Sequence, residues 1–253
     1  MSPTPGTPYT HLPSQADLFY LCTTFSQSDD ALTFDVPPPS NPSLRLGVLL
    51  LGDDDIPSLD LACIDVLSTL TKRRLEALSA PGHILELGID LDICYLSENS
   101  NETFTLTNGV QVTATESLDS CQQLDILMVP SVSPYFTPSP STATSLDSRV
   151  SEPTTTIMTL STGSIPVLNS SATFIRSRIA ATSPSRLLSL RQHFPETQWE
   201  ERRWVNDGRL WSCSGGMAGP QMIAVWMREY FWDRADAVEW VLQETGLLGG
   251  GRR

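Results

Sequence analysis

The stretch TTIMTLSTGSIPVL, residues 155–168, reads as a strand that ends in a sharp turn and opens a helix. A side chain on such a turn is exposed, and the N-terminus of the following helix stabilises negative charge. Ser161 occupies the turn, followed by Thr162 and Gly163. A serine hydroxyl is hardly ionised near neutrality, so a helix dipole alone cannot make it a nucleophile as it can a thiol. It needs a base. His11 lies near the start, His83 in a Pro-Gly loop and His193 just before Phe194-Pro195, and all three read as solvated surface imidazoles.

The elements that must position this turn follow from the apolar pattern. Leu44 to Leu51, LRLGVLLL, is a nearly continuous apolar run of the kind buried on both faces of a parallel sheet. From Ser58, a plausible N-cap, Leu61, Ile64, Leu67, Leu70 and Leu75 recur at helical spacing. Strands are expected at 90–96, at 103–106 with 110–115 as a hairpin through Asn108-Gly109, and at 124–129. Residues 130–153, rich in Pro, Ser and Thr, predict a long loop with a short helix near 142–150, beside the carboxyl ends of the sheet where ligands bind in such folds. Helices are expected at 165–175, with Pro166 in the first turn, and at 185–194, stopped by Pro195. A hairpin of 201–205 with 209–213 turns at Asn206-Asp207-Gly208, and Ser214-Gly215-Gly216 opens helices at 218–231 and 234–242. Alternating β and α units give an α/β domain over 44–245 with a mostly parallel sheet covered by helices. Residues 1–43 read as an irregular extension, in which QADLFYLCTTF can form a docking element, and 246–253 as a flexible tail.

Composition narrows the function. A formal net charge of -13 over 253 residues argues against nucleic acid and against anionic membranes as partners. No apolar run approaches a membrane span, and the start lacks the basic and apolar regions of a secretory signal, so an intracellular, cytoplasmic protein is expected. The five scattered cysteines suggest neither a disulfide framework nor a zinc site, and Cys213 reads as core. Lys72, the only lysine, falls in an exposed Lys72-Arg73-Arg74 run, which disfavours Schiff-base chemistry. Asp53-Asp54-Asp55 reads as a solvated loop without calcium spacing, and no phosphate-binding glycine loop is present. The six tryptophans gather toward the C-terminus, where core or dimer packing is their expected use.

Four blocks, GVLLLGDDDIPSLDLACIDVLSTL (47–70), LDILMVPSVSP (124–134), TIMTLSTGSIPVL (156–168) and RRWVNDGRLWSCSGGMAGPQM (202–222), together resemble the ThiJ/PfpI family of the class I glutamine amidotransferase-like superfamily, particularly its fungal members. The resemblance covers residues 44–240 and implies a flavodoxin-like three-layer sandwich, often dimeric, with a reactive cysteine at the elbow. The family's Cys-Thr-Gly reads Ser161-Thr162-Gly163 here. The histidine that family members often carry after an Ala-Thr pair is absent, since Ala181-Thr182 is followed by Ser183-Pro184-Ser185. The resemblance implies a carboxylate near the elbow, supplied by Asp60 or Asp65, and an oxyanion site whose paired glycines correspond to Ser131-Val132. Near Gly216, where related sequences carry an acidic residue, this chain has Gln221.

Three readings follow. The first is a cofactor-free, metal-free enzyme that uses Asp60, Asp65 and Ser161 for noncovalent acid–base or shape catalysis of the hydro-lyase, isomerase or cyclase type. Thr162, Gly163, Ser131, Val132, Gly216 and Gln221 would line its small-molecule site, and the fungal resemblance suggests specialised metabolism. The second is a serine-dependent hydratase or hydrolase. The third is a pseudoenzyme that binds a small molecule or partner. A homodimer is expected throughout.

Overall fold

Strand β1 (Ser43–Leu49) is buried on both faces: Leu44, Leu46 and Val48 enter one apolar cluster and Leu49 the other. The computed structural model describes residues 43–52, 55–171, 174 and 178–247. The expected extension and its docking element, with Asp53, Asp54 and most of the tail, lie outside these residues.

Beside β1 run β2 (Asp90–Ser97) and, after the hairpin strands β3 (Thr103–Thr105) and β4 (Gln111–Thr113), the short β5 (Glu116–Ser117) and β6 (Ile126–Val129). Then come β7 (Thr156–Leu160), β8 (Ile179–Ala181), β9 (Gln198–Glu200), β10 (Trp204–Asp207) and β11 (Leu210–Cys213). Seven strands form the central sheet in the order β10-β11-β7-β6-β1-β2-β5. All neighbours pair in parallel except β10 with β11.

The helices are α1 (Ser58–Ser68), α2 (Lys72–Ala77), α3 (Gly82–Leu85), α4 (Pro140–Ser151), α5 (Ser164–Ser170), α6 (Pro184–His193), α7 (Ala218–Tyr230) and α8 (Ala235–Glu244). One cluster joins the sheet to α1, α2, α3, α7 and α8, and the other joins it to α4, α5 and α6. This is the flavodoxin-like three-layer sandwich that the sequence implied. Because β1, β6, β7 and β11 are mutually parallel, the loops after them leave the same end of the sheet and meet there.

Several expected elements differ. The single helix drawn from Ser58 through Leu75 is two: α1 closes at Ser68, where the amide and Oγ1 of Thr69 both donate to the Asp65 carbonyl and those of Thr71 to the Ser68 carbonyl. Thr71 instead bridges to Ile89. Ser58 is not a side-chain cap; its own amide donates to Thr107 Oγ1 at 3.1 Å, so the β3–β4 hairpin supplies the acceptor. Strand β10 starts at Trp204 rather than 201, since Gln198–Glu200 pairs with β8 in a separate small sheet. Helix α5 ends at Ser170, short of the expected 175. At the C-terminus of α8 the Gly246 amide donates to Gln243 and that of Leu247 to Leu242, a Schellman closure that carries order past the expected start of the tail.

Candidate functional site

Strand β7 stops at Leu160, and Ser161 takes φ +52, one of three non-glycine residues with positive φ among those described. For an L-residue this left-handed conformation costs roughly 1–2 kcal/mol, so its surroundings must impose it. Two glycines do so. A Cβ placed on Gly163 would lie 2.1 Å from the Val129 carbonyl oxygen and 2.6 Å from that of Pro130, so only glycine lets the elbow seat on the end of β6. Gly215, at φ +99, faces Ser161 from the β11 loop, where a Cβ would come within 2.8 Å of the Ser161 Cβ.

Hydrogen bonds stitch the loop after β6 to this elbow. Buried Thr162 donates through Oγ1 to the Val132 carbonyl at 2.6 Å and accepts the Val132 amide at 3.1 Å. The Ser131 hydroxyl donates to the Leu160 carbonyl at 3.2 Å. Its amide donates at 2.8 Å to Oδ2 of Asp60, in the first turn of α1. Asp60 is 3 % exposed. Burial pushes its carboxyl above the usual carboxylate range, and the bonds from Ser131 oppose that rise only in part.

Of the two carboxylates left open by the sequence, the structure brings Asp60 to the elbow loops. Asp65 lies five residues on, roughly 140° around the helix, and is exposed. Ser131 and Val132 stand beside the elbow, yet both amides are committed, one to Asp60 and one to Thr162, so neither is a free oxyanion donor. Gly216, at φ +57, lies against Leu59, with exposed Met217 next in the chain. Gln221 sits in the first turn of α7, half-buried, without a hydrogen bond among the described residues. Ser161 Oγ likewise has no hydrogen-bond partner among them. His83 and His193 are exposed, and His193 Nδ1 lies 2.8 Å from the Ser189 carbonyl.

Two residues of this neighbourhood were not legible as such. Cys63 and Cys213 flank Gly219 behind the elbow: a Cβ there would lie 2.8 Å from one sulfur and 3.8 Å from the other. Burial pushes Cys213 up to about 11, against bonds from the Gly215 and Ser161 amides, and pushes Cys63 well up too. Both are neutral thiols at physiological pH and supply no thiolate in place of the missing nucleophile. Among the described residues no group of His, Cys, Asp or Glu is placed to hold a metal, and no helix is long and apolar enough to cross a membrane.

No protein-family model matches the sequence, and no curated protein matches it significantly. Solved structures do match in fold. A ThiJ/PfpI family protein from Pseudomonas syringae superposes with a TM-score of 0.61 at 14% identity, over 89% of this chain and 84% of that one. An AraC family transcriptional regulator from Pseudomonas putida gives 0.60 at 18%, over 79% and 99% of the two chains. Schizosaccharomyces pombe DJ-1 gives 0.57 at 13%, over 79% and 98%. The chain has the DJ-1/ThiJ/PfpI fold.

Proposed function

We propose that this chain, built on the DJ-1/ThiJ/PfpI fold, is a cofactor-independent enzyme that acts on a small molecule by noncovalent acid–base catalysis at the elbow. The observation that carries the reading is Asp60, a buried carboxyl with a raised pKa, bonded to the loop that also contacts the Ser161 turn. A carboxyl whose pKa burial raises holds its proton to higher pH than an ordinary carboxylate, and such a group can give a proton to a substrate oxygen and take one back in the same cycle. Ser161, half-buried on the turn and with a hydroxyl that has no partner among the described residues, orients the substrate rather than attacking it, because no base among those residues stands against it. Hydration, dehydration, isomerisation and cyclisation need only such proton movements and a shaped site. The committed amides of Ser131 and Val132 favour, as a second reading, binding without turnover.

Mass spectrometry of a small-molecule extract incubated with the parent protein, and with the Asp60→Asn and Ser161→Ala variants, tests this. A transformed component with unaltered protein mass, lost in Asp60→Asn and substantially kept in Ser161→Ala, is the expected result. A covalent adduct on Ser161, or turnover that survives Asp60→Asn, would overturn it. Retention of a component without conversion would support the binding reading instead.

A further inference from the structure

A hollow of about 570 Å³ opens between the start of β2 and the first turn of α2, at the end of the sheet where β1 and β2 begin and opposite the elbow. Leu91 and Ile93, half-buried against the cluster that holds α1 and α2, give it an apolar floor. Lys72, Arg73 and Arg74 form an exposed basic rim, and no ion pair among the described residues engages them. Of the two acids there, Asp92 is bound by Arg45 at 2.5 Å, so only Asp90 stands against three cations.

The hollow borders an open stretch of sheet edge. Strand β5 pairs with β2 only at Leu96 and Ser97, and Thr115 takes both backbone groups of Tyr95, accepting its amide at Oγ1 and donating to its carbonyl. Backbone direction alternates along a strand, so Ile93 and Leu91 also present their amides and carbonyls outward, where no strand pairs with them among the described residues. An unpaired edge of this kind is a template for a further strand.

Ser43, which also lines the hollow, is the first described residue, so residues 1–42 join the domain here. They carry Asp17, Asp29, Asp30 and Asp35 and no Lys, Arg or Glu, opposite in sign to the rim. The part nearest Ser43 reads DDALTFDVPPPSNP, where Leu32, Phe34 and Val36 alternate with Thr33 and Asp35, the pattern of a half-buried strand. Residues 37–42 separate that pattern from Ser43, and at roughly 3.1 Å each in a proline-rich extended chain they span up to about 19 Å. A strand laid beyond β2 stands two strand spacings, about 10 Å, from β1. The link therefore suffices when the segment runs antiparallel to β2 and ends where β1 begins.

We propose that this hollow is the docking site of the chain's own residues 31–36, which add a strand antiparallel to β2. The outward backbone groups of Leu91 and Ile93 pair with the segment, Leu32, Phe34 and Val36 cover the apolar floor, and Asp29, Asp30 and Asp35 supply anions for the basic rim. The site is independent of the reading given to the elbow.

Lys72 is the only lysine in the sequence, so a carbodiimide, which joins an amine to a carboxylate as an amide and takes up the released water as a urea, marks its neighbours. An equal mixture of isotopically labelled and unlabelled full-length protein is coupled in this way and read by peptide mass spectrometry, with amide hydrogen exchange measured alongside. Expected are Lys72 joined to Asp29, Asp30 or Asp35 within one isotopic form, and exchange at residues 32–36, Leu91 and Ile93 at least about tenfold slower than in an unfolded peptide. The double variant Leu32→Asp/Phe34→Asp, outside the domain, should remove that protection from both segments. Coupling of Lys72 to Asp90 or Glu76 alone, with residues 32–36 exchanging at the unfolded rate, would overturn the proposal. Coupling between isotopic forms would give the edge to a second copy and overturn it too, as would protection of Leu91 and Ile93 that survives the double variant.

Discussion

Replacing Gly163 by alanine tests the seating of the elbow. The added Cβ would meet two backbone carbonyl oxygens at 2.1 and 2.6 Å, where contacts below 3.0 Å are essentially never tolerated. Both oxygens belong to the end of β6, at the centre of the sheet, so relief requires the elbow to lift by about an ångström and breaks the Thr162–Val132 pair of bonds. Overpacking by a methyl group costs roughly 1–3 kcal/mol. Stranding one buried amide adds roughly 1–3 kcal/mol. The expected loss is about 3–5 kcal/mol, or roughly 6–20 °C in midpoint for a chain of this size. Two other glycines calibrate it. Gly109 has φ +83 and no atom within 4 Å of its added Cβ, so Gly109→Ala carries only conformational strain of roughly 1–2 kcal/mol. Gly82 also has open space, without positive φ, and its replacement should stabilise by up to about 1 kcal/mol. Urea unfolding of the three variants should rank them Gly82, Gly109, Gly163 in rising cost. If Gly163→Ala falls no lower than Gly109→Ala, the elbow does not rest on the Val129 and Pro130 carbonyls and the site as described is wrong.

Other substitutions read the same neighbourhood. Because the folded-state pKa of Asp60 is raised, its protonated form contributes stability that is fully present below the unfolded pKa and is lost as pH climbs through the folded value. Asp60→Asn keeps an acceptor for the Ser131 amide without the charge, so its stability relative to the parent should improve from acid toward neutral pH; a flat or opposite difference in urea midpoints contradicts the raised pKa. Ser161→Cys should create a thiol at the elbow that iodoacetamide alkylates much faster than Cys63 or Cys213, since burial keeps those two neutral. Equal labelling of all three, read by peptide mass spectrometry, would mean the turn neither exposes nor activates its side chain. Thr162→Val should cost about 1–3 kcal/mol by leaving the Val132 amide unpaired, and Thr162→Ser should recover most of it. A harmless Thr162→Val would remove the hydroxyl bridge from the account.

What the sequence revealed and what it hid divide by the range of the interactions concerned. The run at β1 was readable because burial on both faces leaves no polar alternation, and the Asn108-Gly109 turn because φ +83 at Gly109 suits glycine. The break between α1 and α2 was not, since Leu70 and Leu75 continue the helical spacing and the bridge that joins the break at Thr71 to Ile89 is not a local contact. Strands β8 and β9, three residues each, carry too little pattern to separate from loop. At the site, the Ser161 turn was visible locally. The choice of Asp60 over Asp65 and the engagement of the Ser131 amide depend on a hydrogen bond spanning 71 residues, which no local spacing reports.

The serine itself bears on whether the elbow is used. Its φ of +52 is a conformation glycine adopts freely, and no hydrogen bond among the described residues repays its side chain for the strain. Ser161→Gly should recover roughly 1–2 kcal/mol of that strain and give back roughly 0.5–1 kcal/mol in the entropy of the unfolded backbone, for a net gain of up to about 1.5 kcal/mol. A folded state indifferent to the hydroxyl would thus be more stable with glycine at this position. If urea unfolding gives that gain while small-molecule binding weakens modestly, the hydroxyl is held at a cost in stability to orient the ligand, in keeping with the substantial turnover expected of Ser161→Ala. If Ser161→Gly instead lowers stability by more than about 1 kcal/mol, the side chain supports the fold and the strain argument fails.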